Sequence, residues 1–313
     1  MVLLHNIISN KLLKSKILYG NRVTISFYKY IYINDPVLFR NNIYILFSSL
    51  DILGRVYISH EGINAQISLT KNVALHFKQT LFNFSNLLQD IHLNFSIIDS
   101  NYSFWVLKVK VKKKLLADGI DDIHFNHKMS GQYLNAIEVN QMFSDKCGSI
   151  FVDMRNNYEY AIGHFINAIN IDQDTFRDQL KIVVNVLQPY RKKNIVMYCT
   201  GGIRCEIATS WLKYHGFNYI YHVKNGIIGY VHEARKKKLP IHFIGKNFVF
   251  DARLSEQVSE DVLTVCTQCN CSCDQYVNCK FSSCHLLFIQ CRNCIIKFNG
   301  CCSFKCQQLF LNQ

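Results

Sequence analysis

The chain has 313 residues, of which 49% are hydrophobic and 18% are charged. This length and balance predict two or three globular domains and exclude an intrinsically disordered chain. The net charge of +13 favours a polyanion such as RNA over a membrane, because no stretch approaches the roughly 18 apolar residues of a spanning helix. A basic protein without a polyanionic partner fits the charge equally well.

The apolar opening segment, residues 1–8, is interrupted by His5 and Asn6 and lacks a small-residue cleavage site. It therefore does not predict a secretory peptide, and we expect a cytoplasmic protein. In a reducing compartment, the 14 cysteines of the chain indicate metal binding or catalysis rather than disulfides.

Residues 1–128 predict a ferredoxin-like α+β domain. Short β-branched stretches predict strands, and apolar residues at helical spacing predict helices. Their order, βαββαβ, is that of a ferredoxin-like open sheet, one face of which is available to RNA. The expected strands cover residues 22–30, 54–59, 65–69, 93–97 and 104–110, and the expected helices cover 35–50 and 72–84.

Two features of this domain are candidate RNA contacts. His60 and Glu61 fall in the expected turn between two strands, where a His–Glu pair can move protons or bind a base. An ordinary polar hairpin turn is equally consistent. Lysines on the last strand can contact phosphates, although a solvated edge strand is the alternative; they are Lys108, Lys110, Lys112, Lys113 and Lys114.

Residues 129–245 predict a parallel α/β domain, because strands alternate with helices. The expected strands cover residues 149–153, 194–198 and 219–222, and the expected helices cover 174–187 and begin again at 205 and 227. Ligands of such sheets bind at the carboxyl ends of the strands. Cys199 follows the middle strand, so it is placed at that edge.

The loop 199–204 is the main catalytic candidate. Two adjacent glycines let its backbone N–H groups turn inward and form an anion cradle at the start of a helix. We therefore expect Cys199 to be a partly exposed, nucleophilic thiolate, with Arg204 at the rim holding an anionic group. The residues of the cradle are Thr200, Gly201, Gly202 and Ile203.

Other polar residues of this domain are expected to support the loop. Asp153 and Arg155 are predicted to form an ion pair that braces it. Glu159 and His164 are predicted to be structural. Cys205 is either a resolving thiol or a small residue at the start of the helix.

The residues alone leave three reaction classes for the cradle. They are sulfur transfer through a persulfide, hydrolysis of a phosphate ester, and a non-catalytic docking module. Four residues separate Cys199 from Arg204, which fits a sulfur-sized anion, whereas phosphatases of this type use five. The residue chemistry thus favours a persulfide-forming transferase that acts on or near RNA.

Residues 246–313 predict a cysteine-rich, metal-binding tail. Paired Cys-x2-Cys knuckles let two thiolates reach one tetrahedral ion, and so short a tail needs such a staple to fold. One or two structural zinc ions are expected, with an iron–sulfur cluster as the alternative. The predicted ligands are Cys266, Cys269, Cys273, Cys279, Cys284, Cys291, Cys294, Cys301, Cys302 and Cys306.

Several motifs together resemble a known family. Residues 151–155, 163–165 and 198–204 resemble a rhodanese domain. With residues 60–66 upstream and 243–251 before the cysteine-rich tail, the whole chain is similar to the bacterial tRNA uridine(34) hydroxylases.

The resemblance implies an oxygen-dependent enzyme that makes 5-hydroxyuridine at the wobble position of tRNA. It further implies molecular oxygen as co-substrate, the anticodon loop as partner, a reductant of unknown identity and Cys199 as the active cysteine. The sequence shows no flavin or nicotinamide motif. Tyr28, Tyr30, Phe104 and Trp105 are possible stacking platforms for unpaired bases, with core packing as the alternative for each. A module that only docks a sulfur carrier remains the competing hypothesis.

Overall fold

The computed structural model describes residues 21–145 and 148–312. The opening segment 1–8 lies outside the described residues. None of the helices in the described ranges is long and apolar enough to cross a membrane.

The first sheet has five strands in the order β4-β1-β3-β2-β5. Three of its four pairings are antiparallel, and the edge strand β5 runs parallel to β2. Two helices, the first capped by the Asp35 carboxylate, complete the domain. The elements are β1 (Arg22–Tyr30), α1 (Pro36–Ser49), β2 (Leu53–Ser59), β3 (Gly62–Thr70), α2 (Lys71–Phe84), β4 (Asn94–Phe95) and β5 (Leu107–Val111).

One face of this sheet forms a hydrophobic core with the two helices. Alternate residues of β1, including Ile25 and Phe27, are buried there. The Phe27 ring lies 6.1 Å from the Phe77 ring, which lies 5.7 Å from the Phe47 ring. Burial of each ring stabilises the fold by about 1.5–3 kcal/mol.

The other face of the sheet is polar. Because the side-chain period of a strand is two, the register places one row of side chains across all five strands, namely Asn94, Ser26, Gln66, Arg55 and Lys108. The neighbouring row contains Tyr28, Asn64, Tyr57 and Lys110. This face meets the second part of the chain.

The second sheet is parallel, with strand order β6-β11-β10-β7-β9. Helices α5 and α6 cover one face, and α3 and α7 cover the other. The elements are β6 (Gln132–Leu134), α3 (Ala136–Phe143), β7 (Ile150–Asp153), α4 (Asn157–Ala161), β8 (Gly163–Phe165), β9 (Ile169–Asn170), α5 (Phe176–Leu187), β10 (Ile195–Tyr198), α6 (Ile203–Tyr214), β11 (Ile220–Val223) and α7 (Gly226–Lys237).

The central strand β10 is buried on both sides. Ile195 and Met197 pack with α5 and α6, whereas Val196 and Tyr198 pack with α3 and α7. This two-sided burial explains the continuous apolar run in the sequence. It also fixes the end of the strand, and with it the position of Cys199.

A small third sheet joins the second part to the tail. In it, β12 pairs antiparallel with β8 on one side and β13 on the other. The domain limit proposed at residue 245 falls inside β12, and the limit at 128 falls between β5 and β6. The remaining elements are β12 (Phe243–Phe248), β13 (Ser255–Gln257), β14 (Tyr276–Asn278), β15 (Leu287–Ile289), α8 (Arg292–Lys297) and α9 (Phe304–Leu311).

The predicted fold class is confirmed: a ferredoxin-like N-terminal domain, a rhodanese-like parallel α/β domain and a cysteine-rich tail. Boundaries differ in places. The last strand of the first sheet begins at Leu107 rather than at residue 104, and α6 begins at Ile203 rather than at Cys205. Gly202, with φ 102°, completes the turn, so the helix starts at the next residue.

Candidate active site

Cys199 is held as a thiolate at the end of β10. The backbone N–H of Gly202 donates to its sulfur at 3.2 Å. Burial raises the pKa of the thiol, but hydrogen bonds from Cys205 and Gly202, together with the charge of Arg204, outweigh burial and lower the pKa to about 6. Cys199 is therefore mostly ionised at neutral pH.

The expectation of a partly exposed sulfur was wrong, because Cys199 is only 1% exposed. The loop folds over the strand end, and the polar face of the first sheet covers the loop. A Cβ at Gly202 would lie 2.9 Å from the Tyr28 hydroxyl of that face. The sulfur is instead reached through a cavity, which Cys199 lines.

Arg204 does not stand free at the rim. Its guanidinium makes a two-pronged ion pair with Glu159, at 2.7 Å and 2.8 Å, and its side chain is largely buried. Glu159 also accepts a hydrogen bond from the Thr200 hydroxyl at 3.2 Å. Arg204 thus holds the loop in shape and contributes positive charge beside Cys199, and Glu159 is its essential partner.

The Asp153–Arg155 pair lies beneath the loop. Both side chains are fully buried, and Nη2 of Arg155 lies 2.7 Å from the Asp153 carboxylate. Arg155 also donates to the carbonyl of Gly163, so it ties the end of β7 to β8. His164 stacks on Tyr160 with ring centroids 4.0 Å apart. These contacts join neighbouring elements of the domain, and the expectation that the ion pair braces the loop 199–204 stays a prediction.

The cavity has a volume of about 410 Å³ and lies where the three parts of the chain meet. The polar face of the first sheet forms one wall, and the loop 199–204 forms the opposite wall. The segment after β12 closes a third side with Arg253, which is ion-paired to Asp251 and Glu256 at 2.6 Å each. At one edge of the cavity the two walls touch, because the Asn94 side-chain amide donates to the carbonyl of Gly201 at 3.5 Å.

A hydrogen-bonded chain leads from the surface to this cavity. Tyr133, which is 47% exposed, donates to the Glu206 carboxylate at 2.8 Å, and Tyr28 donates to the same carboxylate at 2.8 Å. Burial and Glu206 raise the pKa of Tyr28 well above its usual value and that of Tyr133 to about 12. Sequence reasoning missed Glu206, whose only signal is its position directly after Cys205 in the loop motif.

The remaining RNA-contact candidates are dispersed. His60 is exposed, and its Nδ1 lies 2.9 Å from the carbonyl of Ile33. The Glu61 carboxylate accepts from the backbone N–H of Leu115 at 2.9 Å. Neither residue is among those that line the cavity. Glu61 therefore fixes the turn to the start of the linker rather than facing Cys199.

The lysines extend the polar face outward. Lys108 and Lys110 are exposed and continue the two polar rows at the sheet edge. Lys112 lies over the Tyr57 ring at 5.5 Å, and Lys114 pairs with Asp118 at 2.8 Å.

The candidate stacking residues separate into two kinds. Tyr28 lines the cavity and Trp105 is 44% exposed. Phe104 is buried, and Tyr30 packs against the second domain beside His127.

Eight tail cysteines form two groups of four. In each group the sulfur atoms lie within 4.8 Å of one another. The sulfur–sulfur distance is 3.6 Å between Cys269 and Cys291 and 3.7 Å between Cys284 and Cys302. Both are close to the roughly 3.8 Å between thiolate sulfurs around a tetrahedral zinc ion. The groups are Cys266, Cys269, Cys291 and Cys294, and Cys279, Cys284, Cys302 and Cys306.

Both cysteine groups can therefore hold a metal ion. Cys273 and Cys301, which the sequence also suggests as ligands, lie outside the two groups found among the described residues. The Cys-x2-Cys knuckles of the first group come from distant turns, as the spacing predicts.

The fold and the cradled cysteine define a rhodanese-type protein with two added domains. Family models match in three consecutive segments: a UPF0176 acylphosphatase like domain over residues 22–115, a rhodanese-like domain over 135–233 and a rhodanase C-terminal region over 244–307. Relatives over nearly the full chain carry one common name, and the chain belongs to their family, the tRNA uridine(34) hydroxylases.

Three of these relatives illustrate the match. The tRNA uridine(34) hydroxylase of Buchnera aphidicola subsp. Acyrthosiphon pisum (strain APS) is 51% identical over 99% of this chain and 96% of its own length. That of Escherichia coli (strain SE11) is 51% identical over 98% and 88%. That of Hamiltonella defensa is 53% identical over 98% and 87%. The family resemblance seen in the sequence is confirmed.

Proposed function

We propose that this protein hydroxylates C5 of the wobble uridine, position 34 of tRNA, with molecular oxygen as co-substrate. The observation that carries the proposal is the placement of a low-pKa cysteine, Cys199, on the wall of a cavity of about 410 Å³. That volume lies within the range of about 300–1,000 Å³ typical of small-ligand sites. It suits one nucleotide that is turned out of an RNA loop.

The anticodon loop would approach along the polar face of the first sheet. Bases in RNA loops are unpaired and can be splayed into a pocket at low cost. Lys108 and Lys110 lie at the exposed edge of the two rows that run into the cavity, where they can contact the phosphates that flank the target nucleotide. Lys112, with its charge over Tyr57, extends the same positive edge.

Cys199 acts as the nucleophile in this proposal. Its thiolate adds to C6 of the uracil ring, because C6 is conjugated to the C4 carbonyl, and the addition makes C5 electron-rich. Molecular oxygen then adds to C5 as a hydroperoxide, and the C5 proton leaves as the Cys199–C6 bond breaks and the C5–C6 double bond is restored. A two-electron reductant removes the outer oxygen atom as water and leaves the hydroxyl on C5. Tyr28 lies on the opposite wall. It can take up the C5 proton while it donates its own proton to the Glu206 carboxylate behind it, which Tyr133 connects to the surface.

We also propose that the tail binds two zinc ions, one in each cysteine group, and that both are structural. Four thiolates close the coordination sphere of zinc and leave no position for substrate. The ions would hold the tail against the small third sheet and so support the third wall of the cavity. A cytoplasmic location suits both the thiols and the tRNA substrate.

Nucleoside mass spectrometry of tRNA tests the proposed function. Cells that lack the native activity are complemented with the wild-type chain or with Cys199→Ala. We expect 5-hydroxyuridine only with the wild-type chain. A change in a thiolated nucleoside without 5-hydroxyuridine would favour persulfide transfer, and rescue by the variant would reduce the rhodanese-like domain to a docking module.

A further inference from the structure

Hydroxylation of uridine by oxygen requires two electrons beyond those of the C–H bond. One oxygen atom becomes bonded to C5 and the other must leave as water, so a reductant has to supply these two electrons. The cavity has protein walls on three sides, so a donor built into the loop would lie directly beside the oxidised intermediate.

A second thiol lies directly behind Cys199. Cys205 is 0% exposed and packs in the same buried cluster as Cys199. Its backbone N–H donates to the carbonyl of Gly202, whose own N–H donates to the Cys199 sulfur, and Cys205 contributes to the lowered pKa of Cys199. The two thiols therefore lie in one buried cluster, with Cys199 lining the cavity and Cys205 on the first turn of α6.

The Cys205 thiol differs from that of Cys199 in its protonation. Its burial raises the pKa of the thiol well above the ordinary value, so Cys205 stays protonated while Cys199 ionises. The other described cysteines lie in the tail. A residue that served only to fill the core would need no interaction with the nucleophile.

On the basis of the proposed function, we propose that Cys199 and Cys205 form a redox pair that supplies the two electrons of each turnover. Oxygen adds to C5 as a hydroperoxide, and Cys199, once released from C6, attacks its terminal oxygen. The O–O bond breaks, which leaves 5-hydroxyuridine and a sulfenic acid on Cys199. Cys205 then displaces the hydroxyl, and its proton leaves with it as water.

The sum balances. One uridine C–H, one O2 and two thiols give one 5-hydroxyuridine, one water and one disulfide. An external thiol then enters through the cavity, attacks the Cys199 sulfur and releases Cys205 as the leaving group. Cys205 itself needs no access to solvent for this step.

The test is a single-turnover reaction of the purified full chain. Protein reduced beforehand and freed of thiol is mixed with uridine-34 tRNA in oxygenated buffer, and 5-hydroxyuridine is counted per protein. We expect about one product per protein, a Cys199–Cys205 disulfide in the peptide map, and further turnovers only after dithiothreitol is added. This measurement needs no variant, so a folding defect cannot obscure it.

The variant Cys205→Ala separates a redox function from a packing function. We expect the first turnover to persist, Cys199 to accumulate as a sulfenic acid that dimedone traps, and excess dithiothreitol to restore later turnovers. A merely structural residue would give no sulfenic acid and no rescue by thiol.

Two results would overturn the redox pair while leaving the hydroxylase proposal intact. The first is product formation by the wild-type chain without the disulfide. The second is a thiol-free turnover by Cys205→Ala that leaves no sulfenic acid on Cys199. Absence of 5-hydroxyuridine from the wild-type chain, even with oxygen and dithiothreitol, would overturn the proposed function and the redox pair together.

Discussion

The ionisation of Cys199 allows a direct test of the cradle. With a pKa of about 6 in place of the ordinary 9.0, the loop favours the thiolate by about 4 kcal/mol. At pH 7 about 90% of Cys199 would be ionised, against about 1% for an ordinary thiol. Iodoacetamide labelling of the Cys199 peptide, followed by mass spectrometry from pH 5 to pH 9, measures this.

We expect labelling to rise with a midpoint near pH 6 and to be flat above pH 7, because the depressed pKa keeps the anion present until the pH falls through it. Arg204→Gln removes a positive charge beside the sulfur, so its midpoint should move upward. A wild-type midpoint near pH 9 would refute the electrostatic reasoning. Tryptic maps of tail cysteines from the same samples serve as the internal control.

Three further outcomes follow from the geometry. Glu206→Gln should lower kcat at least tenfold with little change in KM, because general-base catalysis typically raises a rate by about 10²–10⁴-fold. An unchanged kcat would show that Glu206 does not take part in proton transfer. Replacement of Lys108 and Lys110 by glutamate should raise KM for tRNA and weaken the salt dependence of binding. The matched control is Lys71→Glu, at an exposed surface ion pair. Equal effects in both variants would contradict tRNA binding along the Lys108–Lys110 edge of the sheet. Cys269→Ser should reduce the zinc content in native mass spectrometry from two ions to one, and two retained ions would contradict the assigned group.

Short-range features of the fold could be predicted from the sequence. The Asp35 cap, the apolar run of β10 and the glycine turn before α6 each depend on neighbouring residues, so the pattern in the chain contains the necessary information. Both Cys-x2-Cys knuckles are equally local. The same holds for the position of Cys199, because the end of a buried strand and the start of a helix fix it.

Long-range partners could not be predicted in this way. Arg204 was expected to face the substrate, but it pairs with Glu159, 45 residues away along the chain. Tyr28 reaches Glu206 across 178 residues. The cavity forms where the polar face of the N-terminal sheet packs against the loop 199–204 of the second domain. No spacing of residues in the sequence indicates that packing.

The alternation of polar and apolar residues along β1 gave a partial indication of the site. Thr24, Ser26 and Tyr28 form a polar stripe opposite the apolar stripe of the same strand. Such a stripe fits either solvent or a binding surface, so the sequence alone could not decide between them. The structure decides, because the stripe faces Cys199 rather than open solvent.

The central claim is that oxygen from O2 enters uridine 34 at the Cys199 site. The most direct test incubates the purified chain, dithiothreitol and uridine-34 tRNA under oxygen-18 gas in ordinary water, with Cys199→Ala in parallel. The account predicts 5-hydroxyuridine at position 34 that carries the heavy oxygen atom, and none with the variant. Product that carries oxygen from water, or equal product from Cys199→Ala, would contradict it.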